Sequence, residues 1–286
     1  MDKEELKRLA DNPDFISGIY NYCDRWCERC PYTARCMNYA LGREEGADEE
    51  SRDINNARFW DQLTETLQAS LDLLREMAAE QGIDLEAVDT TAAMEEEERR
   101  WELARSHPCS AASEAYVARV DEWLDAAEEL FREKEEVLAT AARLNLLGAK
   151  LEQEADALKD AVEVIRWYQF QIHVKLMRAL QSRYDEAEMP ADLAAELAAH
   201  GKDSDGSAKV ALIGIDRSLA AWGTLLRAFP AREAETLQLL VHLERLRRAV
   251  EQEFPQARAF VRPGFDDMES IWAPAAEPQA GAEAGR

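Results

Sequence analysis

Four of the five cysteines of this 286-residue chain fall between Cys23 and Cys36, spaced C-x3-C-x2-C-x5-C. Thiolates crowded this closely are metal ligands by type: sulfur is what structural zinc and iron–sulfur clusters take from a protein. The spacing sets a geometric condition. On a helix Cys23 and Cys27 share a face, and Cys30 falls on it too. A straight helix rises ~1.5 Å per residue, which would put Cys23 and Cys30 roughly 10 Å apart along the axis. Both sulfurs could not then reach one zinc at ~2.3 Å. Pro31 supplies a bend, because it disfavours helix at the residue before it. The spacing therefore predicts a helix carrying Cys23 and Cys27, a turn at Cys30–Pro31, and Cys36 returning from the start of the next segment.

A cubane cluster is wider than a zinc ion and accepts thiolates spread further apart. Ferredoxin-type runs, C-x2-C-x2-C-x3-C-P, are similarly compact, whereas zinc ribbons separate two cysteine pairs by a longer spacer. The pattern thus favours an iron–sulfur cluster (4Fe-4S) on Cys23, Cys27, Cys30 and Cys36. Zinc acting as a staple is the alternative, and disulfides or free thiols stand behind both. Arg25, Arg29 and Arg35 interleave with the cysteines and can offset cluster charge. Tyr20, Tyr22, Trp26, Tyr32 and Tyr39 can shield it from water. The first three spacings also match the radical-SAM ligand pattern. That chemistry needs an open iron position and a β/α barrel, but Cys36 would fill the position and strands do not alternate with helices. The stretch NPDFISGIYNYCDRWCERCPYTARCMNYA, Asn12 to Ala40, resembles the N-terminal segment of a bacterial family with a CDRWCERCP-type motif and no assigned activity. The resemblance extends to the helix around Trp167. It implies that the motif acts as a unit and implies nothing about a reaction.

The 34 Lys and Arg against 58 Asp and Glu leave a formal charge of −24. Phosphate-rich partners would be repelled, which argues against nucleic acid and against anionic membranes and leaves a protein as the class of partner to expect. No apolar stretch approaches a membrane span, and MDKEELKRLADNPDF lacks the apolar core of a secretory signal. The expected location is cytoplasmic, where thiols stay reduced and ligate metals in preference to pairing as disulfides.

The elements that must position the cysteines are helices. Asn12 and Pro13 read as the start of one whose apolar face is Phe15, Ile19, Tyr22 and Trp26. A charged run at 42–51 reads as a linker. Ile54, Phe59, Leu63, Leu67, Leu71, Leu74 and Met77 form a stripe that ends at Gly82. Thr90 or Thr91 opens the next helix, and His107–Pro108 breaks it. Long amphipathic helices then cover Ala111 to Leu144 and Ala149 to Tyr184, the second apolar nearly all round at its centre. Pro190 ends it, GKDSDGS reads as a turn, and Ser207 reads as the cap of a helix presenting Leu212, Ile215, Leu219, Trp222, Leu226 and Phe229. Pro230 opens the last long helix, with Leu237, Leu240, Val241, Leu243 and Leu246 inward. The fold class is all-α: a long-helix antiparallel bundle with an N-terminal four-cysteine metal-binding module. The expected organisation is that module over 1–45, the bundle over 52–255, a strap over 256–272 docking through Phe260, Phe265 and Trp272, and a disordered tail over 273–286.

No catalytic motif stands out, so enzyme activity is left open. A di-iron bundle would carry Glu-x-x-His twice, and none of His107, His173, His200 and His242 has a carboxylate three residues before it. Asp203 and Asp205 resemble the opening of a calcium loop but lack its twelve-residue pattern. Glu95 to Glu98 read as a solvated face paired with Arg99, Arg100 and Arg105. Cys109 beside His107 reads as a plain loop thiol. His173 is expected as a hydrogen-bonded core histidine. Asp216 is expected to pair with Arg217 or Arg227, and Glu235 and His242 lie one heptad apart. A site built from His173, Asp216 and His242 is the weakest of the functional readings. The leading one is electron transfer, or redox or iron sensing, by a cluster; the other is a zinc-stapled acidic scaffold for protein–protein interaction.

Overall fold

The computed structural model describes residues 3–45, 56–85, 87, 89–144, 149–191 and 201–267. Residues 46–51 of the linker read at 42–51, Ile54, Trp272 and the tail from Ala273 lie outside the described residues. Every regular element among the described residues is helical, so the chain is all-α. The helices are α1 (Lys3–Ala10), α2 (Met37–Glu45), α3 (Ala57–Glu80), α4 (Thr91–Ser106), α5 (Pro108–Arg143), α6 (Ala149–Glu188), α7 (Asp203–Ala228) and α8 (Glu233–Glu253). None is long and apolar enough to cross a membrane.

The chain divides into two compact units. One comprises the residues up to Thr91 together with those from Val261; the other runs from Ala92 to Phe260.

In the second unit α5, α6, α7 and α8 pack in a ring, each against the next. Ser113 meets His173 while Lys134 meets Glu154, so α5 and α6 run antiparallel. Asp203 meets Arg178 while Arg217 meets Tyr168, which makes α6 and α7 antiparallel. His242 meets Ala112 while Thr236 meets Trp123, which does the same for α5 and α8. The core is aromatic. Trp222 and Trp123 meet edge to face at 4.9 Å. Trp222 Nε1 donates to Tyr116 Oη at 2.9 Å, and Trp123 Nε1 donates to Thr236 Oγ1 at 3.0 Å. Both indoles are buried with their one donor satisfied, as large amphipathic rings require. Gly214 lets α6 and α7 come close: a Cβ there would stand 2.9 Å from Tyr168 Cδ1.

The caps show why two sequence readings fail here. Ser207 does not cap α7; it is buried in its second turn. The first turn is held from α6: Glu186 accepts from the Ser204 N–H at 3.0 Å, and Arg178 and Ser182 hold Asp203. A cap supplied across space leaves no local signal. In α8 the buried positions are Thr236, Leu239, Leu243, Leu246 and Val250, whereas Leu237 and Val241 are exposed. α8 packs on both α5 and α7. A face that wide contains more than one phase of apolar steps: Leu243 and Leu246 of the expected stripe are buried, whereas Leu237 and Val241 are not.

In the first unit α1 packs on α2 and α3, with Lys3 and Lys7 on Glu76. Asn56 caps α3 by accepting from the Arg58 N–H, and Gly82 ends it at φ 71°. The stripe on α3 does not enter a core: Leu63, Leu67, Leu71, Leu74 and Met77 are 40–57% exposed.

Candidate functional site

The cysteines are delivered by turns and not by a helix. Between Asp11 and Trp26 the backbone makes successive short turns, Phe15 N–H to Asn12 O, Ile19 N–H to Ile16 O, and Asn21 N–H to Gly18 O. Gly18 stands at φ 73° and Arg25 at φ 60°. Left-handed residues interrupt helix, and for a residue with a side chain the conformation carries a cost of roughly 1–2 kcal/mol. Arg25 sits midway between Cys23 and Cys27, so the helix expected to carry that pair is broken between them. The apolar steps of Phe15, Ile19, Tyr22 and Trp26 are steps of a folded loop. Asp24 Oδ1 then accepts from the Trp26 N–H at 3.2 Å, which turns the chain into a single 3₁₀ turn at Cys27–Arg29.

The later part of the motif follows the proline logic. Cys30 is extended, at φ −85° and ψ 124°, directly before Pro31. A second 3₁₀ turn covers Thr33–Arg35, and Cys36 is extended again before α2 begins at Met37. The two halves are tied by the Ile16 N–H to Arg35 O bond at 3.0 Å and by Arg35 Nε donating to Asp14 O at 3.2 Å.

The result is convergence. Cys23, Cys27, Cys30 and Cys36 all line one cavity of about 20 Å³, with Trp26 and Phe265 among its other walls. That volume admits a single water-sized occupant. All five cysteines of the chain are free thiols. Burial pushes the Cys27 thiol above its ordinary range, and the neighbouring Cys23, Cys30 and Cys36 add to the shift. Burial does the same to Cys30, partly opposed by a backbone hydrogen bond from Tyr32 and reinforced by Cys23 and Cys36. Cys27 and Cys30 thus resist ionisation partly because other thiols are near. Cys23 Sγ donates to Tyr20 O at 3.5 Å. Among the described residues no three His, Cys, Asp or Glu side chains stand close enough together to hold a metal ion. The four sulfurs face one space without closing on one point.

Around them, the Arg29 guanidinium lies over the Trp26 ring at 3.9 Å. Arg25 lines the cavity, whereas Arg35 is used in the backbone tie described above. Of the expected aromatic shield, Tyr20, Trp26 and Tyr39 line the cavity and Tyr22 and Tyr32 do not. Phe265 was legible as a docking residue of the strap but not as a wall of this cavity. It lies 229 positions after Cys36, and no local signal links the two.

The other residues with chemical capacity do not form a shared site. His173 Nδ1 is 2.9 Å from Ser113 Oγ, whose own proton goes to Ser110 O. His242 Nε2 is 2.8 Å from Ala112 O. Asp216 pairs with Arg247 at 3.5 Å and with Arg258, not with Arg217 or Arg227. Its partners come from α8 and the turn beyond it. Glu235 lines an open cleft of about 340 Å³ between α5 and α8 and sits 3.5 Å from Arg232. Cys109 is buried in the first turn of α5, and burial raises its thiol above the ordinary value, partly opposed by Arg183. Its N–H donates to His107 Nδ1 at 3.2 Å, so an imidazole does the work of an N-cap. Burial and the nearby Arg183 lower the His107 pKa even though Glu253 lies 3.3 Å away. Arg183 is itself paired with Glu253, and its charge offsets the carboxylate.

No family model matches this chain, and no curated protein and no solved structure matches it either.

Proposed function

We propose that Cys23, Cys27, Cys30 and Cys36 form a four-thiolate centre for an iron–sulfur cluster (4Fe-4S), and that the protein serves electron transfer or redox or iron sensing. The observation that carries this is the cavity: four thiols held by short turns and extended backbone line one space. The donor set fits the group, since four cysteine sulfurs are the usual complement of such a cluster. The positions in extended backbone and 3₁₀ turns suit the wider spread of ligands that a cluster needs. On this reading the CDRWCERCP-type motif is a ligand motif. When bound, the cluster would supply a one-electron couple; everything else is done by the chain. Trp26, Tyr39 and Phe265 limit water at the sulfurs, the Arg25 side chain adds positive charge beside them, and the Tyr32 N–H favours ionised Cys30. Loading requires the raised thiols to lose their protons, so uptake releases protons to solvent.

A second reading is a single zinc that staples the module, within an acidic helical scaffold for protein–protein interaction. The small volume of the cavity favours it, as does the scarcity of buried apolar side chains in the first unit. Small modules without a sufficient core use metals for stability. Anaerobic purification followed by iron, sulfide and zinc analysis separates the two. Brown protein with iron and sulfide in cluster ratio supports the first. Colourless protein with one zinc per chain supports the second. Protein with neither metal that also takes up neither on reconstitution removes both.

A further inference from the structure

We infer that Phe265, seated by Gly264, is a positioning residue of the thiolate centre, so that metal loading and seating of residues 262–266 are one linked equilibrium. This rests on the four-thiolate reading above.

The segment is built as a plug. Phe265 N–H and Asp266 N–H both donate to Arg262 O at 3.1 Å, closing a tight turn. Asp266 accepts from the Arg262 backbone at 3.1 Å and from its guanidinium at 2.9 and 3.0 Å. The same guanidinium lies 4.8 Å from the Phe265 ring centre. The turn therefore holds its own shape and presents one aromatic side chain.

The seat is equally specific. Gly264 is buried at φ 75°, and a Cβ there would come within 2.9 Å of Ile19 Cδ1 and 3.1 Å of Ile16 Cγ2. Ile19 is fully enclosed and lines the thiol cavity. The Phe265 ring enters the same cavity and meets Tyr32 edge-on at 5.2 Å. Tyr32 is the residue whose backbone reaches the Cys30 sulfur. Phe265 is thus in contact with the residue whose backbone bonds one ligand, and it forms part of the wall around the others. Outer groups that orient ligands and exclude solvent typically carry 10–100-fold in metal affinity. Whatever binds only the seated form must favour seating by the same factor.

The test uses full-length protein stripped of metal and titrated with Co²⁺, whose thiolate charge-transfer and d–d bands report ligand number and geometry. Phe265→Ala is expected to weaken Co²⁺ binding at least tenfold and to alter the d–d envelope, with Phe265→Leu restoring part of both. Gly264→Ala is expected to act like Phe265→Ala. Leu237→Ala, on the exposed face of α8, should match the unaltered protein. Hydrogen exchange on the unaltered protein is the second measurement, which needs no variant to fold: amides of 262–266 should gain protection when Co²⁺ is added. Wild-type affinity and spectrum in Phe265→Ala, or exchange at 262–266 indifferent to Co²⁺, overturns the inference and leaves the thiolate centre standing. Failure of the unaltered protein to bind Co²⁺, zinc or iron overturns both.

Discussion

In the second unit Trp222, Trp123 and Tyr116 are shut away from solvent and hydrogen-bonded to each other or to Thr236. In the first, among the described residues, the buried apolar side chains are Leu9, Ile19 and Ala78, while Leu67 and Leu74 on α3 remain more than half exposed. Both units have to offset backbone ordering of about 1–2 kcal/mol per residue. The second has the buried area to do so. The described residues of the first bury far fewer apolar side chains, and it is the first that holds four thiols around one space. The contrast teaches where a bound metal would matter most: in the unit whose described residues bury the fewer apolar side chains.

Breaking the contrast at its strongest point gives the largest expected effect. Replacing Cys27 and Cys30 together by Ser should abolish bound metal and leave residues 12–40 in rapid hydrogen exchange, while the far-UV signal of α5 to α8 and their melting stay close to the unaltered protein. If the helices of the second unit melt with the loss of metal, the units are not energetically distinct and the comparison fails.

The converse change is Trp222→Ala. It removes a fully buried indole and the donor to Tyr116, and should cost about 3–5 kcal/mol in a denaturant titration. Metal content should be unchanged. A smaller effect is expected from Gly214→Ala, whose added Cβ meets Tyr168 and Ile172. Overpacking of this kind costs about 1–3 kcal/mol, and the denaturation midpoint should fall without a change in slope.

Smaller again is the response to pH, and its sign differs between the units. His107 and His242 both have pKa values lowered mainly by burial. The unfolded chain protonates first, near pH 6.5, so their contribution is intact above that value and is lost as pH falls through the lowered folded values. The melting temperature of the second unit should drop between pH 7 and 5.5, and a His107→Asn, His242→Gln variant should flatten that slope. In the first unit the raised Cys27 and Cys30 values act the other way. They favour the metal-free fold below about pH 9, and this contribution is lost as pH rises through the raised values. Since binding displaces those protons, metal affinity should rise with pH across the neutral range, which a chelator competition at two pH values would read.

Much of the fold was legible because α5, α6, α7 and α8 are long. An apolar repeat sustained over 21 to 40 residues fixes a helix even where part of its inward face is misassigned, as with Leu237 and Val241 in α8. Breaks at His107–Pro108, Gly82 and Pro190 were legible for the same local reason: each residue constrains its own backbone. The stretch before Cys23 was not. Four apolar residues at steps of three and four fit a helix and a compact loop equally well, and nothing in the letters gives Arg25 a left-handed backbone. The partners of Asp216 were also out of reach, since Arg247 and Arg258 are brought to it by the packing of α7 with α8 and the turn that follows α8.

By itself the sequence determined the thiol spacing, the helical period and the punctuation by proline and glycine, because these act over a few neighbouring residues. Tertiary structure alone decided that the four sulfurs face one cavity through turns, that Phe265 closes it from the far end of the chain, and that the apolar row of α3 stays in solvent. Those are matters of which distant surfaces meet, and residue order limits such meetings without choosing among them.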